Sequence, residues 1–143
     1  MRYISNKGLL VVTAVADIAI CGYDRPVKAD KIRDRLHLPN RRALEPVLQV
    51  LVHAGILVSV HGKRGGYRLA HRPHNISALD ILCASGVLDR FNDELDDSAS
   101  ILAQVVVVPA LLAAEEELAR QLREITVADL MRVAATRCDL SRS

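Results

Sequence analysis

Apolar residues recur at helical spacing near the N-terminus. Five of them share one stripe in which positions repeat every three or four residues. They are Ile4, Gly8, Val12, Val15 and Ala19. This pattern predicts a first helix over residues 5–21, which is broken before Pro26. A short second helix is predicted over residues 29–36, with Ile32 and Leu36 facing inward.

The third predicted helix has the clearest pattern. Four apolar residues are spaced as i, i+3, i+4 and i+7, which predicts an amphipathic helix as far as Ala54. They are Leu44, Val47, Leu48 and Leu51. Asn40 is the predicted N-cap of this helix and Gly55 its predicted C-cap. Pro46, near the start, is expected to tighten or kink the first turns.

Two short β-rich segments follow the third helix. Ile56 to Val60 and Tyr67 to Ala70 flank the turn His61-Gly62-Lys63-Arg64-Gly65-Gly66, which is rich in glycine and basic residues. This order predicts a β-hairpin with a polar, flexible tip. Ser77 and Asp80 then form a capping-box-like start for a short helix over residues 78–84.

The second half of the chain begins with an acidic segment, residues 86–98, which is typical of a loop. From Ser98 the sequence is apolar and helical. Pro109 is expected to interrupt this stretch, because the residue before a proline, here Val108, is biased away from the helical conformation. A main C-terminal helix is therefore predicted to start at Pro109. The apolar residues 101–112 could line a small-molecule pocket or pack on the core, and we expect the second.

The main C-terminal helix has an apolar seam close to heptad spacing, which is typical of a helix that pairs with another helix. The predicted dimer interface consists of Leu111, Ala114, Leu118, Leu122 and Ile125. Thr126 and Asp129 are predicted to cap a last helix over residues 127–135.

Taken in order, three helices and a hairpin predict a winged helix-turn-helix. The fold class is mainly α-helical with a small β-hairpin wing, followed by a long C-terminal dimerisation helix. We expect a DNA-binding domain at residues 1–84 and an acidic loop with an apolar connector at residues 85–108. Residues 109–143 would hold the dimerisation helix and the C-terminal helix.

The small net charge of +2 conceals an uneven distribution. Residues 1–72 carry 13 Lys and Arg against 5 Asp and Glu, whereas residues 73–143 carry 6 against 12. A basic half favours a polyanionic partner, because cations that neutralise phosphates release condensed counterions. A random division of surface charge is the simpler alternative. The single Phe and the absence of Trp argue against single-stranded nucleic acid, whose bases stack on aromatic rings.

Over residues 1–84 the chain resembles the Rrf-type winged helix-turn-helix transcriptional regulators of bacteria, relatives of the iron–sulfur-cluster assembly regulator and the cysteine-metabolism repressor. The matching segments are Ile4-Ser5-Asn6-Lys7-Gly8, Pro26-Val27, Leu44-Glu45, Ala54-Gly55-Ile56-Leu57-Val58 and the wing motif Gly62-Lys63-Arg64-Gly65-Gly66-Tyr67-Arg68-Leu69. Over residues 109–131 only the Ile125-Thr126 junction and the helix before it match. The resemblance implies a dimer in which that helix crosses its partner.

The resemblance and helix-turn-helix geometry together predict the contacts with double-stranded DNA. The first residues of the recognition helix reach the major groove, so Arg41 and Arg42 are expected contacts, with Asn40 beside them. Lys63 and Arg64 at the wing tip would enter or flank the minor groove. Further candidates are His61, Arg68, Ser5 and Lys7. For Arg41 and Arg42 the alternative is a solvated surface, for Lys63 and Arg64 an ordinary hairpin turn, and for Asn40 a role as N-cap alone.

Several members of the family hold an iron–sulfur cluster on three cysteines before the dimer helix. The corresponding residues here, 86–108, contain neither Cys nor His, and Val105 and Val108 stand where ligands would be expected. Because aliphatic side chains cannot replace thiolate ligands, we predict no cluster and no other cofactor.

The three cysteines, Cys21, Cys83 and Cys138, are far apart, which is typical of free thiols in a reducing compartment. A structural role is the common case, and a redox switch at Cys21 or Cys83 is the alternative. His71 and His74 have no acidic or Cys partner nearby, so no metal site is predicted.

No apolar run is long enough to span a membrane. The stretch from Leu9 to Ile20 resembles a signal peptide, but Asp17 lies inside it and Ile20 is large where a small residue is needed. We therefore expect a cytoplasmic protein. Since no catalytic constellation is present, we expect no enzyme.

The sequence thus predicts a homodimeric transcriptional regulator, a repressor, which binds a pseudo-palindromic operator. A small-molecule or redox signal would change the angle between the two winged domains. A winged-helix adaptor that binds protein instead of DNA is one alternative, and a thiol-based redox sensor using Cys21 or Cys83 is another.

Overall fold

The computed structural model describes residues 4–22, 25–38, 41–88 and 100–137, and for residues 41–43 it describes the backbone. Within these ranges the fold is a helical domain with one antiparallel hairpin, which confirms the predicted fold class. The elements are α1 (Asn6–Gly22), α2 (Ala29–Arg35), α3 (Arg41–His53), β1 (Leu57–Val60), β2 (Gly66–Leu69), a 3₁₀ turn (Pro73–Asn75), α4 (Ala78–Ala84), a π-helical segment (Ala103–Val107), α5 (Val108–Glu124) and α6 (Val127–Arg137).

Helix α1 lies at the centre of the domain and contacts α2, α4, α6 and β2. Of the predicted stripe, Gly8, Val15 and Ala19 are buried, whereas Ile4 and Val12 are half-buried. The helix also buries Val11, Ala14 and Ile18. A helix with neighbours on several sides buries more than one stripe, so the sequence pattern underestimated the buried surface of α1.

Helices α2 and α3 form the helix-turn-helix. The four apolar residues predicted to face the core from α3 are all buried, together with Ile32 of α2. Gly55 follows α3 with a φ of +81°, which confirms the predicted C-cap. Pro46 lies inside α3 on its exposed side. Asn40 lies outside the described residues, so its role as N-cap stays a prediction.

Capping boxes begin α4 and α6, as predicted. In each box the backbone N–H of the third helical residue donates to the N-cap hydroxyl, and the Asp side chain accepts from the N-cap backbone. The donor–acceptor distances are 3.0 Å for both bonds of Ser77 and Asp80, and 3.1 and 3.0 Å for Thr126 and Asp129. Val127, which follows the second box, is fully buried in the core formed by α1, α2 and α3. Helix α6 therefore packs on the winged domain.

A continuous helical stretch runs from residue 101 to residue 124. The prediction that Pro109 interrupts it is wrong, because Val108 is helical with φ −61° and ψ −48°. The π-helical segment just before α5 gives the physical reason. In an α-helix the proline ring would clash with the carbonyl group of residue 105, and a π turn shifts the carbonyls of that turn.

The apolar residues that precede and begin α5 do not pack on the core of their own chain. Ile101 is 79% exposed and Leu111 is 61% exposed. Leu102, Val105, Val106 and Val107 are exposed as well. The expectation that residues 101–112 pack on the core is therefore wrong. Helical periodicity shows that a face is apolar, but it does not show which neighbour covers that face.

Candidate nucleic-acid interface

Helix α3 begins at Arg41, so Arg41 and Arg42 lie in its first turn, where a recognition helix meets DNA. Their side chains, and the whole of Asn40, lie outside the described residues. The face of α3 opposite the core is exposed at Glu45 and Gln49. The backbone thus matches the predicted recognition helix, while the contacts of the two arginines stay a prediction.

The wing tip is a tight turn in which the Gly65 N–H donates to the Gly62 carbonyl oxygen at 3.0 Å. Lys63 and Arg64 are therefore the two central residues of the turn, and both are exposed. The other wing candidates, His61 and Arg68, flank this turn and are exposed too. Four basic or titratable side chains that sequence reasoning singled out thus share one solvent-facing hairpin.

Tyr67 fastens the wing to the helix-turn-helix. Its backbone exchanges two hydrogen bonds of 2.8 Å with Val27, which lies just before α2. Its hydroxyl accepts a hydrogen bond from Gln49 Nε2 on α3, at 3.1 Å. Sequence analysis missed Val27 and Gln49 as supports of the wing, because contacts between distant residues leave no local pattern. The wing is thereby held to both helices of the helix-turn-helix.

An open groove of about 310 Å³ lies between α3, the wing and the start of α2. His61 and Lys28 line this groove together with the acidic residues Asp30 and Glu45. His61 therefore faces groups of both signs. Lys63, Arg64 and Arg68 do not line the groove, so these three exposed cations of the wing do not share it with the acidic residues.

Ser5 and Lys7 lie near the start of α1, away from α3 and the wing. The Ser5 hydroxyl accepts a hydrogen bond from the Gly8 N–H at 3.1 Å and so caps α1, while Lys7 is exposed. This end of α1 packs against α4, since the side chain of Leu82 approaches Gly8. Ser5 and Lys7 thus lie at the end of α1 that packs against α4, and their role as DNA contacts stays a prediction.

The Cys21 thiol lies beside a carboxylate at the end of α1. It donates to Asp17 Oδ1, with 3.8 Å between Sγ and Oδ1. Burial, and then the negative charge of Asp17, raise the pKa of the Cys21 thiol above its usual value. A sensing thiol needs a lowered pKa, so this environment weighs against a redox switch at Cys21.

The thiols and histidines still to be placed are Cys83, Cys138, His71 and His74. Cys83 is half-buried on α4 and lines an open groove of about 450 Å³ with His71 and Asp80. His74 is exposed, and Cys138 lies outside the described residues. In the described part of the chain, no three side chains of His, Cys, Asp or Glu are grouped in a way that could hold a metal ion.

Helix α5 packs on its own winged domain along one face. Leu122 is 9% exposed and clusters with Leu79 and Leu82 of α4. Leu122 therefore packs inside the protomer, at the border of the stripe that holds the other four residues of the predicted dimer seam, which are exposed. A second face is charged, and on it Arg120 forms ion pairs with Glu117 and Glu124.

The third face of α5 is apolar and exposed. Its residues follow one another at near-heptad spacing and extend into the π-helical segment. They are Val107, Leu111, Ala114, Leu118 and Ile125. A face of this kind, opposite no other element of the described chain, is typical of an interaction surface.

Comparisons with known proteins agree on one family. The model of the Rrf2 family, described as an iron-dependent transcriptional regulator, matches residues 4–133. The protein Rrf2 of Nitratidesulfovibrio vulgaris is 31% identical over 121 residues, which cover 83% of this chain and 80% of that protein. A putative HTH-type transcriptional regulator of Synechocystis is 32% identical over 128 residues, which cover 89% of this chain and 86% of that protein.

Solved structures show the same fold over nearly the whole chain. The global cysteine regulator CymR of B. subtilis superposes with a TM-score of 0.71 at 26% identity, covering 93% of this chain and 98% of CymR. IscR of T. potens superposes with a TM-score of 0.74 at 29% identity, covering 93% of this chain and 88% of IscR. Among the described residues, no helix is long and apolar enough to cross a membrane.

Proposed function

The chain belongs to the Rrf2 family of DNA-binding transcriptional regulators, and from this premise we propose that it is a homodimeric repressor that binds a pseudo-palindromic operator without an iron–sulfur cluster. The observation that carries the proposal is the wing, whose tip presents Lys63 and Arg64 and whose base is fastened to α3 through Tyr67. A regulator that binds the chromosome acts in the cytoplasm, so we include that location in the proposal.

The proposed contacts divide between two grooves of the duplex. Arg41 and Arg42 begin the recognition helix and read bases or bind phosphates in the major groove. Lys63 and Arg64 bind at the adjacent minor groove, where two glycines allow the backbone of the turn to approach the sugar–phosphate wall. Arg68 and His61 flank the wing contact. Ser5 and Lys7, at the far end of α1, are the outermost candidates.

The proposed homodimer uses the exposed apolar face of α5. An aliphatic face with Leu111 61% exposed and Leu118 41% exposed is unfavourable in water, and a second copy of the same helix would bury it. A two-fold axis through α5 would then set the two recognition helices about 34 Å apart, one turn of duplex DNA. This spacing leads to a pseudo-palindromic site.

The family description names iron, but the donor set of this chain does not fit a thiolate-held cluster before α5. Residues 86–108 contain neither Cys nor His. Val105 and Val108, at the positions where ligands would be expected, are aliphatic and cannot coordinate iron. The proposed mechanism therefore contains no step that passes through a cluster. A signal acts instead by changing the angle between the two winged domains.

Salt dependence of duplex binding tests the proposal. A duplex would first be selected from a random-sequence library, and its affinity then measured from low to high salt. We expect a steep fall in affinity with salt, and a slope smaller by about 2 for the variant Lys63→Ala/Arg64→Ala, which loses two phosphate contacts. Arg123→Ala/Arg137→Ala is the matched control, because it removes the same charge from exposed residues far from α3 and the wing.

The same measurement separates the adaptor alternative from the proposal. A winged helix that binds protein instead of DNA would select no sequence and would show little duplex affinity even at low salt. An equal loss of affinity in the wing variant and in its charge-matched control would also contradict the proposal. It would mean that Lys63 and Arg64 act only through the overall positive charge of the protein and make no specific contact with DNA.

A further inference from the structure

Arg35, the last residue of α2, forms an ion pair with the carboxylate of Asp17 on α1. Its Nε donates to Asp17 Oδ1 at 2.8 Å, and its Nη2 donates to Asp17 Oδ2 at 2.9 Å. This is the two-pronged geometry that makes a guanidinium–carboxylate pair both strong and directional. The bond from Asp17 also raises the pKa of Arg35. The pair joins the C-terminal half of α1 to the first helix of the helix-turn-helix.

The burial of the pair is unequal. The Asp17 side chain is 9% exposed and the Arg35 side chain is 32% exposed. A carboxylate so far from water requires a partner, because an unpaired charge in that place is costly. The Cys21 thiol supplies one weak bond to Asp17, so the guanidinium is the main counter-charge that the structure gives it.

Helix α2 is held on both sides: Val27, two residues before it, bridges Tyr67 of the wing, and the Asp17–Arg35 pair holds its last residue. It has only seven residues, and Ile32 is the one side chain of the helix that is fully buried. Ala29 is half-buried against the same core, so few apolar side chains fix the rotation of this short helix, and the two-pronged bond at its C-terminal end adds a directional contact. The end that Asp17 holds is also the end that leads, through a short turn, into the first turn of α3.

We propose that Asp17 and Arg35 are a positioning pair for DNA recognition: the bond sets the orientation of α2 and thereby places the first turn of α3 on the duplex. Arg35 is then not a phosphate contact, although it belongs to the basic half of the chain. The inference rests on the proposed function, since it assumes that α3 is the recognition helix.

The variant Asp17→Asn separates positioning from contact, because the two roles predict opposite results. If Arg35 only positions α2, the variant binds the selected duplex about ten-fold more weakly with the same salt slope. Its affinity for a scrambled duplex stays near that of the wild type, because the phosphate contacts are unchanged. If Arg35 binds phosphate, its release from Asp17 raises affinity for both duplexes and steepens the salt slope.

Arg35→Lys extends the test, since lysine keeps the charge but lacks the planar fork. A positioning role predicts that Arg35→Lys loses preference for the selected duplex as Asp17→Asn does, whereas a phosphate contact would tolerate lysine. Asp17→Glu, which keeps the carboxylate, should recover part of the preference. Val127→Ala is the matched control for stability, because it removes volume from the core that α2 shares and leaves the Asp17–Arg35 pair in place. It should lower the melting temperature without changing the ratio of selected to scrambled binding.

Amide hydrogen exchange on the protein without DNA makes the inference independent of the operator. In Asp17→Asn we expect faster exchange across α2 and the first turn of α3, with α4 and α6 unchanged. Unchanged exchange in α2, or an unchanged ratio of selected to scrambled binding, would overturn the positioning pair while leaving the proposed function intact. A wild-type protein that binds no duplex would instead remove the proposed function.

Discussion

Val27 and Tyr67 exchange two backbone hydrogen bonds of 2.8 Å, although forty residues of chain separate them in the sequence. Through this isolated bridge, Val27, which lies two residues before α2, pairs with strand β2 of the wing. Because α2 leads into α3, one backbone contact links the wing, which we propose to bind the minor groove, to the helix that we propose to bind the major groove. Changes that break the bridge should therefore weaken DNA binding even though they remove no proposed DNA contact.

Gly66→Ala should break this bridge. Gly66 has a φ of +148°, and a Cβ there would lie 2.5 Å from the carbonyl oxygen of Val27. The side chain would have to displace the strand around Val27 in addition to the backbone strain. We expect a loss of about 3 kcal/mol in the free energy of unfolding and about ten-fold weaker binding to a selected duplex. Chemical denaturation and a binding titration measure the two effects.

Gly62→Ala is the control for this prediction. Gly62 also has a positive φ, +104°, but an added Cβ would meet nothing within 4 Å. The variant carries the backbone strain without the displaced neighbour, so it should cost about 1 kcal/mol and leave the bridge to Val27 in place. If the two variants lost equal stability, the close approach of Gly66 to Val27 would not contribute to the free energy lost in Gly66→Ala.

Leu111→Glu/Leu118→Glu should convert the proposed dimer to monomers. Both residues lie on the exposed apolar face of α5, and a charge on each would have to be buried in the interface. We expect a monomer in sedimentation equilibrium with an unchanged circular dichroism spectrum. Affinity for a selected duplex should fall about 100-fold, because the two half-sites would no longer be bound together.

Ala113→Glu tests whether the effect belongs to that face. Ala113 is exposed on the same helix but on the opposite side from Leu111. This variant should stay dimeric and bind DNA as the wild type does. A wild-type protein that sediments as a monomer at micromolar concentration would contradict the proposed dimer, whatever the variants do.

The parts of the fold that the sequence predicts are those with a local signal. The apolar spacing of α3, the glycine that ends it and the two capping boxes each depend on residues a few positions apart, and the structure has all of them. The wing is predicted for the same reason, since a glycine-rich turn between two β-rich segments carries its own geometry.

The parts that could not be predicted depend on contacts between distant residues. Leu122 fits the heptad-like seam of α5, yet it packs on α4 inside the protomer, because the covered and the exposed parts of the apolar surface of α5 adjoin at Leu122 and the spacing does not separate them. Asp17 is noticeable in the sequence as a charge inside an apolar stretch, but no local pattern identifies Arg35, 18 residues further on, as its partner. The π-helical turn before Pro109 is likewise invisible to the rule that predicts a break there.

Cys21 should react slowly with iodoacetamide near neutral pH. Burial and the charge of Asp17 raise the pKa of the thiol, so a smaller fraction is thiolate in the folded protein than in the unfolded chain. The rate would be measured in a Cys83→Ala/Cys138→Ser background, where Cys21 is the remaining cysteine. Adding Asp17→Asn should speed the reaction, because the negative charge is removed. A folded protein whose Cys21 reacts faster than the unfolded chain would contradict this and would revive the redox switch at Cys21.

The capping box of α6 should give the protein a distinct loss of stability in acid. The backbone N–H of Thr126, and then Arg132, lower the pKa of the Asp129 carboxyl in the folded protein. A lowered folded-state pKa contributes stability above the unfolded value of about 3.9, and that contribution is lost as the pH falls through the folded pKa. Asp129→Asn should therefore melt at a lower temperature than the wild type by a constant amount from pH 5 to pH 8. The difference should shrink below about pH 4, where the wild-type carboxylate becomes protonated.

Thr126→Ser keeps the hydroxyl of the cap and should melt close to the wild type, whereas Thr126→Ala should melt about 3 °C lower. A difference between Asp129→Asn and the wild type that persists unchanged to pH 3 would mean that the charge of Asp129 does not stabilise the start of α6.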